Sequence, residues 1–138
     1  NMKILVTLLL GAMLFVSSVL IAQKQMITVH IENISTDKGT VKFALYDETN
    51  FRLQSLQSVA GTIEAGKTTI VFKDVLPGVY AIVCYHDKNE NNQMDFHPNG
   101  MPLENYGTSN NFMTFGPPKF EDAKFVVADK NISLAIRF

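Results

Sequence analysis

The run Asp87-Lys88-Asn89-Glu90-Asn91-Asn92-Gln93-Met94-Asp95 concentrates oxygen-bearing side chains at alternate positions. On a tightly curved backbone, alternate side chains turn inward toward one centre. The first part of an EF-hand loop delivers its ligands in this way, from positions 1, 3, 5 and 9, with a main-chain carbonyl at position 7. Here those positions are Asp87, Asn89, Asn91 and Asp95, with Gln93 supplying the carbonyl. A hard cation such as Ca2+ takes six to eight oxygens, and a mixture of carboxylates and amides provides them. The expected cofactor is therefore Ca2+, and the expected ligands are Asp87, Asn89, Asn91, Gln93 and Asp95. The pattern departs from an EF-hand at two places. The position usually held by glycine is Asn92, a residue type that tolerates the left-handed conformation better than most. The twelfth position is Pro98, so a further carboxylate would have to come from Glu104 or Glu90. Two certain carboxylates predict an affinity of only ~10⁻⁴ to 10⁻³ M. The competing reading is a polar, asparagine-rich surface loop held by Asx-turns.

Other chemistry is less well supported by the residues. His86 and His97 flank the run, but no cysteine stands at ligand spacing and there is no His-x-x-x-His, so zinc or copper is the minor metal reading. His86, Asp87 and Glu104 are the candidates for an acid–base hydrolase. Neighbours on a strand point to opposite faces, which separates His86 from Asp87, and no G-x-S-x-G elbow is present. The balance is against an enzyme. Tyr106, Phe112 and Phe115 either line a ligand platform or plug the loop into the core, and the plug is the favoured reading. Cys84 is the only cysteine. It lies in the apolar run Tyr80-Ala81-Ile82-Val83-Cys84-Tyr85, which predicts a buried small hydrophobe, and its solitude excludes an internal disulfide.

A frame must hold these residues. Met26 to Asn33 and Val41 to Asp47 alternate apolar and polar, as half-buried strands do. The turn cluster Ser35-Thr36-Asp37-Lys38-Gly39 between them predicts a hairpin. Glu48 to Ser58 reads as a loop with a short helical turn. Val59 to Ile63 and Thr68 to Phe72 are short strands about the turn Glu64-Ala65-Gly66-Lys67. Val79 to Tyr85 is nearly continuous in apolar residues and is expected to be a central strand buried on both faces. Lys124 to Val127 and Ile132 to Phe138 are the last two strands. The stretch from His86 to Lys119 shows no periodicity, and structureless loops of that length are uncommon unless something holds them. About seven strands with turn signals roughly ten residues apart predict an all-β fold, an immunoglobulin-like or transthyretin-like antiparallel sandwich with one long ordered loop.

The chain has 138 residues, enough for one such domain. A net charge of −1 gives no basic face for nucleic acid. Ahead of the domain, Met2-Lys3 is followed by an apolar stretch from Ile4 to Val16, then Ser17-Ser18 and Val19 to Ala22. This is the pattern of a secretory signal peptide, with cleavage expected after Ala22. The alternative is a retained anchor helix, since Ile4 to Ala22 is long enough to span a bilayer. The expected division is a leader over 1–22 and a β-sandwich domain over 23–138. The expected location is outside the cytoplasm: periplasmic, outer-surface or extracellular.

Four segments together carry a resemblance. They are Leu76-Pro77-Gly78-Val79-Tyr80-Ala81; His86 to Asn91 with Asp95; Gly100 to Asn111; and Pro117-Pro118-Lys119-Phe120-Glu121-Asp122-Ala123. With them the chain resembles the bacterial domain of unknown function 2141 family over about Ile27 to Phe138. The resemblance implies a small exported protein and implies no activity. The Leu-Pro-Gly-x-Tyr segment is also similar to a turn and strand of transthyretin-like and carboxypeptidase-regulatory sandwiches, where it feeds a central strand. Two functional classes follow from these readings. One is a calcium-stabilised binding or accessory module with a protein or glycan partner at the cell envelope. The other is a structural or assembly subunit, forming a homo-oligomer by edge-strand pairing. Membrane contact is expected only through an uncleaved leader.

Overall fold

The structure is a computed structural model and describes residues 23–112 and 116–138. The leader expected over 1–22 and the side chain of Phe115 lie outside the described residues. In chain order the elements are β1 (Gln25–Ile31), β2 (Thr40–Tyr46), β3 (Gln57–Thr62), β4 (Thr68–Val75), β5 (Gly78–Asp87), β6 (Tyr106–Thr108), a 3-10 turn (Ser109–Asn111), the single-turn helix α1 (Phe120–Ala123), β7 (Phe125–Val127) and β8 (Ile132–Ala135). Among the described residues no helix is long and apolar enough to cross a membrane.

Two sheets face each other in a sandwich-like arrangement. One has the order β4-β1-β8, and the other runs β3-β2-β5-β6, with β7 also pairing β5. Alternation decides which side chains fill the space between them. Ile27, Val29 and Ile31 of β1 and Ile70 and Phe72 of β4 point inward from the first sheet. Val41, Phe43 and Leu45 of β2 and Ile82 and Cys84 of β5 meet them from the second. Burial pushes the Cys84 thiol well above its usual pKa, and its Sγ lies 3.5 Å from the Gly107 carbonyl.

Three features differ from the expectations. β1 and β2 are not a hairpin: β1 pairs β4 and β8, whereas β2 pairs β3 and β5. The Ser35–Gly39 turn carries the chain from one sheet to the other, and local alternation cannot distinguish that crossing from a hairpin. The pairing is not wholly antiparallel, because β8 runs parallel to β1. β5 is central, but only part of its outward face is covered: Ala81 is fully buried, whereas Val79 is 43% exposed.

Side-chain amides complete the ladder at the last strand. Asn33 Nδ2 donates to the Phe138 carbonyl at 2.8 Å, and Asn33 Oδ1 accepts the Phe138 N–H at 3.1 Å. Asn111 does the same on the other edge, donating to Ala135 O at 3.0 Å and accepting from Arg137 N at 2.8 Å. Each amide stands in for one residue of a neighbouring strand.

Candidate metal centre

β5 ends at Asp87, where its β2 partner is Thr40, the first residue of that strand. The chain then leaves the sheet and turns sharply. Asp87 is fully buried. Its carboxylate accepts the N–H groups of Asn91 at 3.2 Å and Asn92 at 2.9 Å, which bends the following residues back over it. Glu90 (φ 53°) and Asn92 (φ 61°) take left-handed conformations to make this bend. Asn92 thus adopts the conformation for which an EF-hand uses glycine.

The bend brings the alternate side chains together. Asn89 Nδ2 donates to Asp95 Oδ2 at 2.9 Å, and Asn91 Nδ2 donates to both Asp95 oxygens at 2.8 and 3.0 Å. Asn91 Oδ1 meanwhile accepts the Gln93 N–H at 3.0 Å, an Asx-turn. Asn89, Asn91 and Asp95 therefore share one centre, while Asp87 spends its carboxylate on the backbone beside it. Among the described residues no group of three or more His, Cys, Asp or Glu side chains is placed to hold a metal ion. The shared centre is one carboxylate and two amides.

Glu104 closes the segment. It is 6% exposed, and its two oxygens accept the N–H groups of Lys88 at 2.9 Å and Asp95 at 3.1 Å. Leu103 N adds a bond to the Asp95 carbonyl at 2.8 Å. Of the two glutamates considered as a further ligand, Glu104 enters the cluster and Glu90 remains exposed. The signal that could have singled out Glu104 is its place before the β6 strand, which pairs with β5 and so returns it to the start of the loop.

The amide donors from Asn91 and Asn89 hold the Asp95 carboxyl below the usual carboxylate range. A depressed folded-state pKa adds stability that is present above the ordinary value and is lost as pH falls through the lowered one. The Asn89 and Asn91 side-chain amide resonances are therefore expected to hold their positions through the ordinary carboxylate range, about pH 4, and to move only below it. Movement already near pH 5 would contradict this arrangement.

The histidines do not join the cluster. His86 Nε2 donates to the Lys38 carbonyl at 2.6 Å, and its ring stacks on Phe138 with centroids 6.4 Å apart. It faces the core side of β5, away from the Asp87 carboxylate. His97 is exposed, and its backbone closes a turn with Gly100 and Met101. Tyr106 and Phe112 line a cleft of about 390 Å³ with Arg137 and Phe138. Phe112 is 53% exposed, so it is not a plug.

The profile of a family described as "Uncharacterized protein conserved in bacteria (DUF2141)" matches residues 29–135. No curated protein and no solved structure matches the chain.

Proposed function

Because the chain belongs to the bacterial DUF2141 family, whose description assigns no activity, we propose a function from its own residues: an exported β-sandwich binding or accessory module whose Asp87–Glu104 loop is ordered by Ca2+. Export rests on the leader pattern of residues 1–22. The calcium reading rests on the convergence of Asn89 and Asn91 on the Asp95 carboxylate. Amide oxygen and nitrogen exchange places on a half-turn of the side chain. Beside an ionised carboxylate the nitrogens turn inward. A bound cation reverses that preference and draws the oxygens to itself, with the Gln93 carbonyl, Asp87 and Glu104 close by in the same loop.

For a site of ~10⁻⁴ to 10⁻³ M, about 10 mM Ca2+ stabilises the fold by roughly 1.4 to 2.7 kcal/mol. The chain is expected to melt several degrees higher in calcium than in chelator, and the Asp87→Ala/Asp95→Ala double variant is expected to melt alike in both. Equal melting of the parent chain in the two conditions would sink the reading. A second readout comes from Tyr85, whose phenol is raised by burial first and then by the charges of Asp87, Glu104 and Asp95. A cation among those carboxylates offsets their charge. Its binding is expected to bring Tyr85 ionisation to lower pH in an absorbance titration, a shift that Tyr85→Phe removes.

A further inference from the structure

Outward positions of a sheet with one wet face are ordinarily polar. The outer face of the larger sheet breaks that rule. The β2–β5 register sets Lys42 opposite Tyr85, Ala44 opposite Val83 and Tyr46 opposite Ala81. On the β3 side, Ala60 stands against Lys42 and Ser58 against Ala44. The protein covers part of this face itself. Tyr46, Phe51 and Phe120 stack edge-on in series, each centroid pair 5.6 Å apart. The remainder forms a groove of about 500 Å³ over Ala44 and Val83, bordered by Tyr46, Tyr85, Lys42 and Ser58. Ser55 of the β2–β3 loop and Asn92 of the Asp87–Glu104 loop complete its rim.

We infer that this groove binds an acidic oligosaccharide, a carbohydrate chain bearing carboxylate groups. The inference rests on the reading of the chain as a binding module, and it names the ligand class. β2 and β5 are each hydrogen-bonded on both edges, so the groove floor offers no free backbone to an extended peptide. Recognition must come from side chains. Ala44, Ala60 and Val83 make a shallow apolar floor without the long aliphatic side chains that would enclose an acyl chain. Tyr46 and Tyr85 offer ring faces with polar tips. The Tyr80 hydroxyl donates to the Leu76 carbonyl at 2.7 Å, whereas those of Tyr46 and Tyr85 have no partner among the described residues. A sugar ring matches this set, with an apolar C–H face and a rim of hydroxyls that both donate and accept. The acid is specified by Lys42. Among the described residues the ion pair is Lys124–Glu121, and Lys42, a half-buried residue that lines the groove, has no carboxylate partner. An ammonium has three donors and no acceptor, and its natural counterpart is a carboxylate.

The groove also adjoins the candidate metal centre through Asn92 and Tyr85. The Asp87, Asp95 and Glu104 carboxylates of that centre repel an acidic ligand. A cation in the loop lessens that repulsion, so binding of the acidic chain is expected to be tighter in calcium.

The test is calorimetric titration of the full chain with uronic-acid tetramers (galacturonate, mannuronate and glucuronate), and with cellotetraose as the neutral counterpart, each in calcium and in chelator. At least one uronate is expected to bind more tightly than cellotetraose. Tyr85→Ala is expected to weaken it about tenfold or more. Lys42→Gln is expected to weaken the uronate about fivefold and leave the neutral ligand within about twofold. Ala60→Trp fills the groove from an exposed position on the edge strand β3, and is expected to abolish binding with an unchanged melting temperature. No binding by any tetramer overturns the inference, as does binding untouched by both Tyr85→Ala and Ala60→Trp. Preference for cellotetraose overturns the acidic class. The two readings fail separately. A calcium-dependent melt with no sugar bound removes the groove alone, and sugar binding through Tyr85 with a calcium-independent melt removes the metal alone.

Discussion

Gly39→Ala is expected to destabilise the protein by about 3 kcal/mol or more, a shift of roughly 10 to 20 °C in melting temperature. Two costs combine. Gly39 has φ +73°, a conformation that costs an alanine about 1 to 2 kcal/mol. The added methyl would also overlap the Asp87 carbonyl oxygen and come within 2.8 Å of Lys88 Cα and 2.9 Å of Lys88 O. All three are backbone atoms and cannot swing aside. The turn that carries the chain between the sheets therefore closes directly on the point where β5 gives way to the candidate metal loop. Gly100→Ala separates the two costs, since Gly100 has φ +86° with nothing within 4 Å of an added methyl. It is expected to lose only the conformational part, about 1 to 2 kcal/mol. Thermal melts followed by circular dichroism compare the pair, and equal losses would refute the steric account.

Glu104→Ala is expected to cost about 2 kcal/mol and to release the loop from the sheet. The carboxylate joins Lys88 and Asp95 across the loop, and its removal strands the Asp95 N–H. The Lys88 N–H keeps a second acceptor, the His86 carbonyl at 3.0 Å, which limits the total. Glu90→Ala, at an exposed position in the same loop, is expected to stay within about 0.5 kcal/mol. Amide hydrogen exchange is the direct measurement. Protection at Asp95 is expected to fall by about tenfold or more in Glu104→Ala and to persist in Glu90→Ala. Unchanged protection at Asp95 would show that Glu104 is not the brace. The calcium-dependent gain in melting temperature is expected to shrink in the same variant.

Much of the strand content was legible because a half-buried strand writes its two faces into the sequence as alternation. Alternation over Met26–Asn33 and Val41–Asp47 marks β1 and β2, which run Gln25–Ile31 and Thr40–Tyr46. Alternation records which side of a strand is buried and says nothing about its neighbour. The supposed hairpin between those strands is instead a passage between sheets for that reason. β6 is only Tyr106–Thr108, too short to show a period, and it is a strand because β5 offers it an edge. In the loop, Asn89 and Asn91 both hydrogen-bond Asp95 through their side-chain nitrogens. The spacing groups Asp87 with them, and its carboxylate takes two backbone N–H groups of the turn, a role alternation does not specify. Asparagines in turn-rich stretches all look alike in sequence. Nothing in the residues around Asn33 and Asn111 indicates that their amides would clamp the final strand.

The parallel pairing of β1 with β8 bears on how the protein comes to be folded at all. Met26 N bonds Asn131 Oδ1, and Asn33 bonds Phe138, contacts separated by 105 positions in the sequence. During vectorial synthesis the first strand emerges long before its mate. No arrangement of the early nascent chain can finish the three-stranded sheet, and contacts this distant in sequence slow the final closure. The three-stranded sheet thus stays open on one side of β1 until β8 has been made.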